Sequence, residues 1–225
     1  DSVVDIARGC GAWLLGDEMY RGLEYDGQPP LPAACEVYEK GISLAGMSKV
    51  YALPGLRVGW LVSRSSNGFI AAAAALKDYT TICGAAPSEV LALMALRKRD
   101  ELLARSKRIV AEGLTHVDAF FSRNPELAHY HRPQAGPICY PCFKGDGLGA
   151  ADVLAYAESL VAATGVLILP GGTCYDVDDD DDDGPTASTS GAYFRIGLGR
   201  LDCQANLGVY EQALSEPRFR RCGKA

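Results

Sequence analysis

A few side chains with reactive or charge-binding character stand out by the company they keep. Lys49 lies in the stretch Ser43 to Gly59 (SLAGMSKVYALPGLRVG), just after a short apolar run and among small residues. Arg57 follows eight positions later, with Pro54-Gly55 before it and Gly59 soon after. Asp17 and Tyr20 belong to Asp17-Glu18-Met19-Tyr20, at the end of another apolar run. Arg195 sits in Tyr193-Phe194-Arg195-Ile196-Gly197, near the other end of the chain. A lysine amine can add to a carbonyl. A guanidinium is a planar, permanently charged fork suited to phosphate or carboxylate. A lone lysine is usually a surface residue, so the pattern has to carry the reading, not the residue type.

These residues need elements to hold them. Ala12 to Gly16, Ile42 to Ala45 and Val58 to Val62 are short apolar runs that read as buried strands. Pro29, Pro30 and Pro32 mark a loop between the first two. The Ala-rich stretch from Asn67 to Tyr79 predicts a helix, and Pro87-Ser88-Glu89 predicts a helix start continued by Val90 to Leu96. Leu102, Leu103, Ile109, Val110, Leu114, Val117 and Phe121 recur at helical spacing, which predicts a long helix over 100–121. Beyond Asn124-Pro125, short strand candidates (138–143, 166–169, 193–198) alternate with helical ones (150–163, 204–215). The fold class is therefore α/β: a mainly parallel sheet with helices, followed by a smaller α+β domain. The expected division is a large domain over 1–98, a connecting helix over 99–122 and a small domain over 123–225.

The Gly46 to Gly59 stretch resembles the lysine-attachment signature of the class I/II pyridoxal-phosphate-dependent aminotransferases of fold type I. Asp17-Glu18-Met19-Tyr20 looks like that family's Asp-x-x-Tyr, and Tyr193 to Gly197 like its carboxylate-binding Arg motif. Pro133-x-x-Gly136 with the apolar strand after it, and Val166 to Gly171, also resemble its small domain. The motifs come in the family's order.

The resemblance implies a cofactor, pyridoxal 5'-phosphate, and a role for each residue. Lys49 would form the Schiff base with the cofactor aldehyde and later move the substrate's α-proton. Asp17 would keep the pyridine nitrogen protonated, which makes the ring an electron sink. Tyr20 would bond the cofactor's phenolic oxygen. Arg57 would bind the phosphate, with Ser48 adding contacts nearby. Many relatives carry a phosphate-bonding Ser where this chain has Gly46. Arg195 would grip the substrate α-carboxylate; Arg200, five residues on, reads as a surface charge.

The activity implied is transfer of an amino group from an amino acid to a 2-oxo acid, in a homodimer when full length. Lyases and synthases of the same fold use the same lysine, and a truncated or non-catalytic homologue would keep the same residues. The family also draws on the first part of its large domain for a phosphate-binding turn, a stacking aromatic and an Asn, none of which can be placed here. The chain therefore reads as a C-terminal portion, expected to be weakly active or inactive by itself.

Composition narrows the partners. The 225 residues carry 22 Lys+Arg against 28 Asp+Glu, a net charge of −6. Asp176 and the run Asp178 to Asp183 supply the excess; without those seven acids, 21 remain against 22 bases. The acidity belongs to one segment, 176–190, expected to be a solvated insert. The near-neutral remainder argues against a nucleic-acid partner. No stretch reaches the roughly 20 apolar residues of a membrane span. Eight scattered cysteines suggest reduced thiols, in the cytoplasm or an organelle interior. The lone Cys139-x-x-Cys142 lacks a second pair, and His116, His129 and His131 lack metal-ligand spacing, so no metal is expected.

Overall fold

The computed structural model describes residues 2–145, 148–172, 192–220 and 222. The acidic run lies outside them. The chain divides into two compact units, Asp1–Lys107 and Arg108–Ala225.

In the first unit, α1 (Ser2–Cys10) leads into a three-stranded sheet of order β1-β2-β3: β1 Leu14–Asp17, β2 Gly41–Gly46, β3 Gly59–Ser63. β1 runs parallel to β2, from Leu14 opposite Gly41 to Asp17 opposite Leu44. Their connection carries the short helix α2 (Ala34–Val37), as a parallel crossover requires. α2 packs so closely on the start of β2 that a Cβ at Gly41 would collide with the Ala34 carbonyl. β3 is antiparallel to β2, from Ile42 opposite Ser63 to Gly46 opposite Gly59. The expectation of a mainly parallel sheet thus holds for one of the two strand pairs described here. Residues 47–58 fold into tight turns with a single 3-10 turn at Pro54–Leu56, and so return the chain antiparallel. Helices α3 (Phe69–Lys77), α4 (Ala86–Arg97) and the long α5 (Arg99–Arg123) follow, and the division between the units falls inside α5.

The second unit is built on antiparallel pairs. β4 (Ala128–His129) pairs with β6 (Cys142–Phe143). β5 (Ile138–Cys139), β8 (Phe194–Gly197) and β7 (Leu169–Pro170) form a sheet of order β5-β8-β7. The single strand expected over 138–143 is therefore two. Pro141 has no N–H to offer a ladder and breaks the run between them. The strand expected over 166–169 shrinks to Leu169–Pro170. Among the described residues of this unit the helices are α6 (Ala150–Thr164), α7 (Cys203–Ala213) and α8 (Pro217–Arg220). Its core is aromatic: Phe143 stacks on Phe194 at 4.2 Å, and Phe120 on Tyr210 at 5.2 Å. The buried Tyr156 hydroxyl donates to Phe219 O at 2.9 Å and lies 2.9 Å from the Tyr210 hydroxyl, so neither phenol is stranded.

Candidate active site

The turn after β2 presents the lysine. Met47 and Val50 are buried on either side of it, and Met47 is fully inaccessible. The backbone closes the loop on itself: Met47 N–H donates to Val58 O at 3.0 Å, Ala52 N–H to Lys49 O at 2.9 Å and Leu53 N–H to Met47 O at 2.9 Å. Two apolar anchors and three bonds fix the backbone at Lys49 while its side chain stands exposed. Ser48 beside it is half-buried.

Glycine is required where the ends of this loop meet. Gly46 faces Gly59 across the ladder, and a Cβ on Gly46 would lie 3.0 Å from both Gly59 Cα and Val58 O. Arg57 holds a left-handed backbone, φ 53° and ψ 36°, and Ala52 has φ 55°. Non-glycine residues rarely adopt this conformation, at a cost of about 1–2 kcal/mol each. Two of them within one loop are the kind of strain that persists only where surrounding structure holds it. The Arg57 guanidinium donates to Pro54 O at 3.0 Å and is otherwise exposed, with donors left for an anion.

Asp17 ends β1 on the exposed side, where its Oδ1 accepts from Met19 N–H at 3.1 Å. That local bond turns the chain so that Tyr20 comes beneath the lysine: Lys49 Nζ lies 5.9 Å from the centre of the Tyr20 ring. The next residue, Glu18, points into the protein, because side chains alternate along a strand. Glu18 Oε1 accepts from Ser43 Oγ at 2.6 Å and from Ala34 N–H at 2.8 Å, and Ser43 Oγ accepts from Cys35 N–H at 3.2 Å. These bonds tie β1, β2 and the first turn of α2 together directly behind Asp17. Sequence reasoning named Glu18 only as a spacer in the Asp-x-x-Tyr pattern. Its carboxylate at the end of an apolar strand was the available signal. A hollow of about 290 Å³ on this side is lined by Glu18, Ser43, Gly46, Val50 and Trp60 among others, but not by Asp17, Tyr20, Lys49 or Arg57. The charged set faces outward instead.

Arg195 belongs to the other unit, on β8, where it pairs in register with Leu169 of β7 and is half-buried. The structure thus gathers Lys49 and Tyr20 within one unit, together with the loop that carries Ser48 and Arg57 and the strand end that carries Asp17. Among the described residues no cluster of His, Cys, Asp or Glu could hold a metal ion.

The donor set can be tested against pyridoxal phosphate. It offers an amine for an aldehyde, a carboxylate for a protonated ring nitrogen, and a phenol for a phenolate oxygen. A guanidinium with a neighbouring hydroxyl remains for the phosphate. Each functional group of the cofactor has a complementary partner among Lys49, Asp17, Tyr20, Arg57 and Ser48, so the residues fit the group.

The model of the family described as aminotransferase class I and II matches residues 1–180. Capreomycidine synthase of Streptomyces vinaceus is 27% identical over 169 residues, which cover 75% of this chain and 42% of the synthase. An aspartate aminotransferase of Rhizobium meliloti (strain 1021) is 31% identical over 128 residues, covering 52% of this chain and 31% of that enzyme. The crystal structure of a PLP-dependent aminotransferase from Streptococcus suis matches with a TM-score of 0.76 and 29% identity, over 99% of this chain and 52% of that one. The chain spans about half the length, or less, of these relatives.

Proposed function

Since the chain belongs to the class I and II aminotransferase family, we propose that it carries the lysine side of a pyridoxal-phosphate site whose enzyme moves an amino group from an amino acid to a 2-oxo acid. The observation that carries this reading is the placement of Lys49: held by buried Met47 and Val50, extended into the open, and set over the Tyr20 ring. Bound pyridoxal phosphate supplies an aldehyde and an electron-withdrawing ring. Lys49 Nζ would hold the cofactor covalently, and its free amine would move the proton at the substrate α-carbon. Asp17 keeps a proton on the ring nitrogen through its carboxylate. Tyr20 donates to the phenolic oxygen. Arg57 and Ser48 bind the phosphate, and Arg195 binds the substrate α-carboxylate.

The reading extends to a homodimer of the full-length protein. Val90, Leu91, Leu93 and Met94 of α4 are exposed and offer apolar area for such an interface. It extends also to a reducing compartment, cytoplasm or organelle interior, consistent with the unpaired thiols of Cys10, Cys35 and Cys83. The likeness to capreomycidine synthase keeps a synthase or lyase of the same fold as the second reading.

A single-turnover experiment separates the two. Full-length protein loaded with pyridoxal phosphate and offered a panel of amino acids is expected to release the matching 2-oxo acid and retain the nitrogen; Lys49→Ala releases none. Free ammonia in place of retained nitrogen would replace transfer by elimination.

A further inference from the structure

The sheet of the second unit has two unlike faces. Cys139, Phe194 and Pro170 are buried on one of them, with Phe194 stacked on Phe143. Arg195, next to Phe194, therefore stands on the other. The pairing of β5 with β8 sets Ile138 opposite Gly197 and Cys139 opposite Ile196, and the same register resumes where Cys142 bridges Tyr193. Phe194 N–H donates to Pro141 O at 3.0 Å between them. This register sets Tyr140 opposite Arg195 on one side, as Leu169 is on the other. Tyr193 is two residues back along β8 and shares the face. Its ring stacks on that of Tyr140, centroids 5.0 Å apart and planes 12° from parallel. Arg195 is thus flanked on its face of the sheet by Tyr140, Tyr193 and Leu169, none of which can carry a positive charge at neutral pH. Among the described residues no carboxylate pairs with Arg195.

We propose that this frame makes the Arg195 site selective for monocarboxylates bearing an apolar or aromatic group, at the expense of dicarboxylates. The proposal rests on the reading that Arg195 grips the substrate α-carboxylate. One carboxylate takes the guanidinium fork. An aromatic group attached to it packs on the tyrosine rings and gains both area and ring contact. A second carboxylate in the same place would lose water and find no counter-charge on Tyr140, Tyr193 or Leu169. Tyr193 and Tyr140 act here as specificity-determining residues.

The test needs no cofactor. In the full chain, the Arg195 Nε–H resonance, assigned by its loss in Arg195→Lys, is followed by NMR during titration with propionate, 3-phenylpropionate and succinate. 3-Phenylpropionate is expected to bind about tenfold tighter than propionate, and succinate no tighter than propionate. Tyr193→Ala should reduce that preference to about twofold while propionate still binds. Tyr193→Leu keeps apolar bulk without a ring and should show the same loss, which guards against a folding defect in the alanine variant. Equal affinity for all three acids, tightest binding of succinate, or a preference that survives both substitutions would overturn the proposal. Cofactor attachment is measured separately: attachment at Lys49 without a carboxylate preference sinks this proposal alone. A preference without attachment supports the frame and sinks the aminotransferase reading.

Discussion

The two units bury their apolar residues in opposite styles. In the second, Phe120, Phe143, Phe194, Leu198, Tyr210 and Phe219 are all fully buried, in a mostly aromatic core. In the first, Tyr38 and Met47 are the large side chains buried to that degree, while Trp13 just before β1, Leu15, Leu61 and Val62 on the sheet and Leu91 and Met94 on α4 stay exposed. The half that carries Arg195 stands on a finished core. The lysine-bearing half stands on a few anchors and leaves apolar area exposed. The loop from Met47 to Val58 is held in that setting by its own hydrogen bonds and by glycine contact, not by a deep core.

Core truncation is the hardest blow to this contrast. Phe194→Ala should destabilise the second unit by about 3–5 kcal/mol, because it removes a stacked, fully buried ring and leaves a cavity. Leu91→Ala in the first unit should cost less than about 0.5 kcal/mol. Urea denaturation measures both, and equal costs would erase the distinction.

Thiol chemistry sharpens it next. Burial pushes the Cys139 thiol up to about 12, whereas Cys83 of the first unit is exposed. Relative to an ordinary thiol this lowers the reactive thiolate of Cys139 by about a thousandfold at mildly alkaline pH. Alkylation followed by peptide mass spectrometry should modify Cys83 early and Cys139 last.

Within the first unit, Glu18 should count for more than any exposed apolar residue. Glu18→Ala strands the Ser43 hydroxyl and the Ala34 N–H, at a cost of about 1–3 kcal/mol. Amide hydrogen exchange should accelerate at Ala34 and Cys35 and stay unchanged in the second unit.

A small effect is also expected at the surface of the finished unit. Arg123 donates to Glu211 through Nε at 2.7 Å and through a terminal guanidinium nitrogen at 2.8 Å. This hydrogen bonding holds the Glu211 carboxyl below its ordinary value. A carboxyl depressed on folding adds stability above its unfolded pKa and loses it as pH falls through the folded value. Both side chains are partly exposed, at 56% and 33%, so Glu211→Gln should cost less than about 1 kcal/mol at neutral pH. The cost should vanish in acid, as a pH series of melting curves would show.

What could be read from the sequence was whatever is local in it. The apolar period from Leu102 to Phe121 found α5 to within two residues at each end. The runs before Lys49 and after Arg57 found β2 and β3. The charged set around Lys49 was legible because its members lie within one loop and one strand end. α1 went unread, because no element was assigned before Ala12. The direction of β3 and the split of 138–143 depend on which strands meet, and apolar runs alone do not encode that. The Glu18–Ser43 bond joins residues 25 apart, and the frame around Arg195 depends on a register between strands more than 50 residues apart. Both were out of reach of motif and period.

The most direct test of the account is the site of cofactor attachment. The chain is mixed with pyridoxal phosphate, reduced with borohydride, digested and mapped by mass spectrometry. The account predicts stoichiometric label on the peptide carrying Lys49, lost in Lys49→Ala and weakened in Arg57→Ala. A folded protein that takes no label, or takes it evenly across surface lysines such as Lys77 and Lys98, would contradict it.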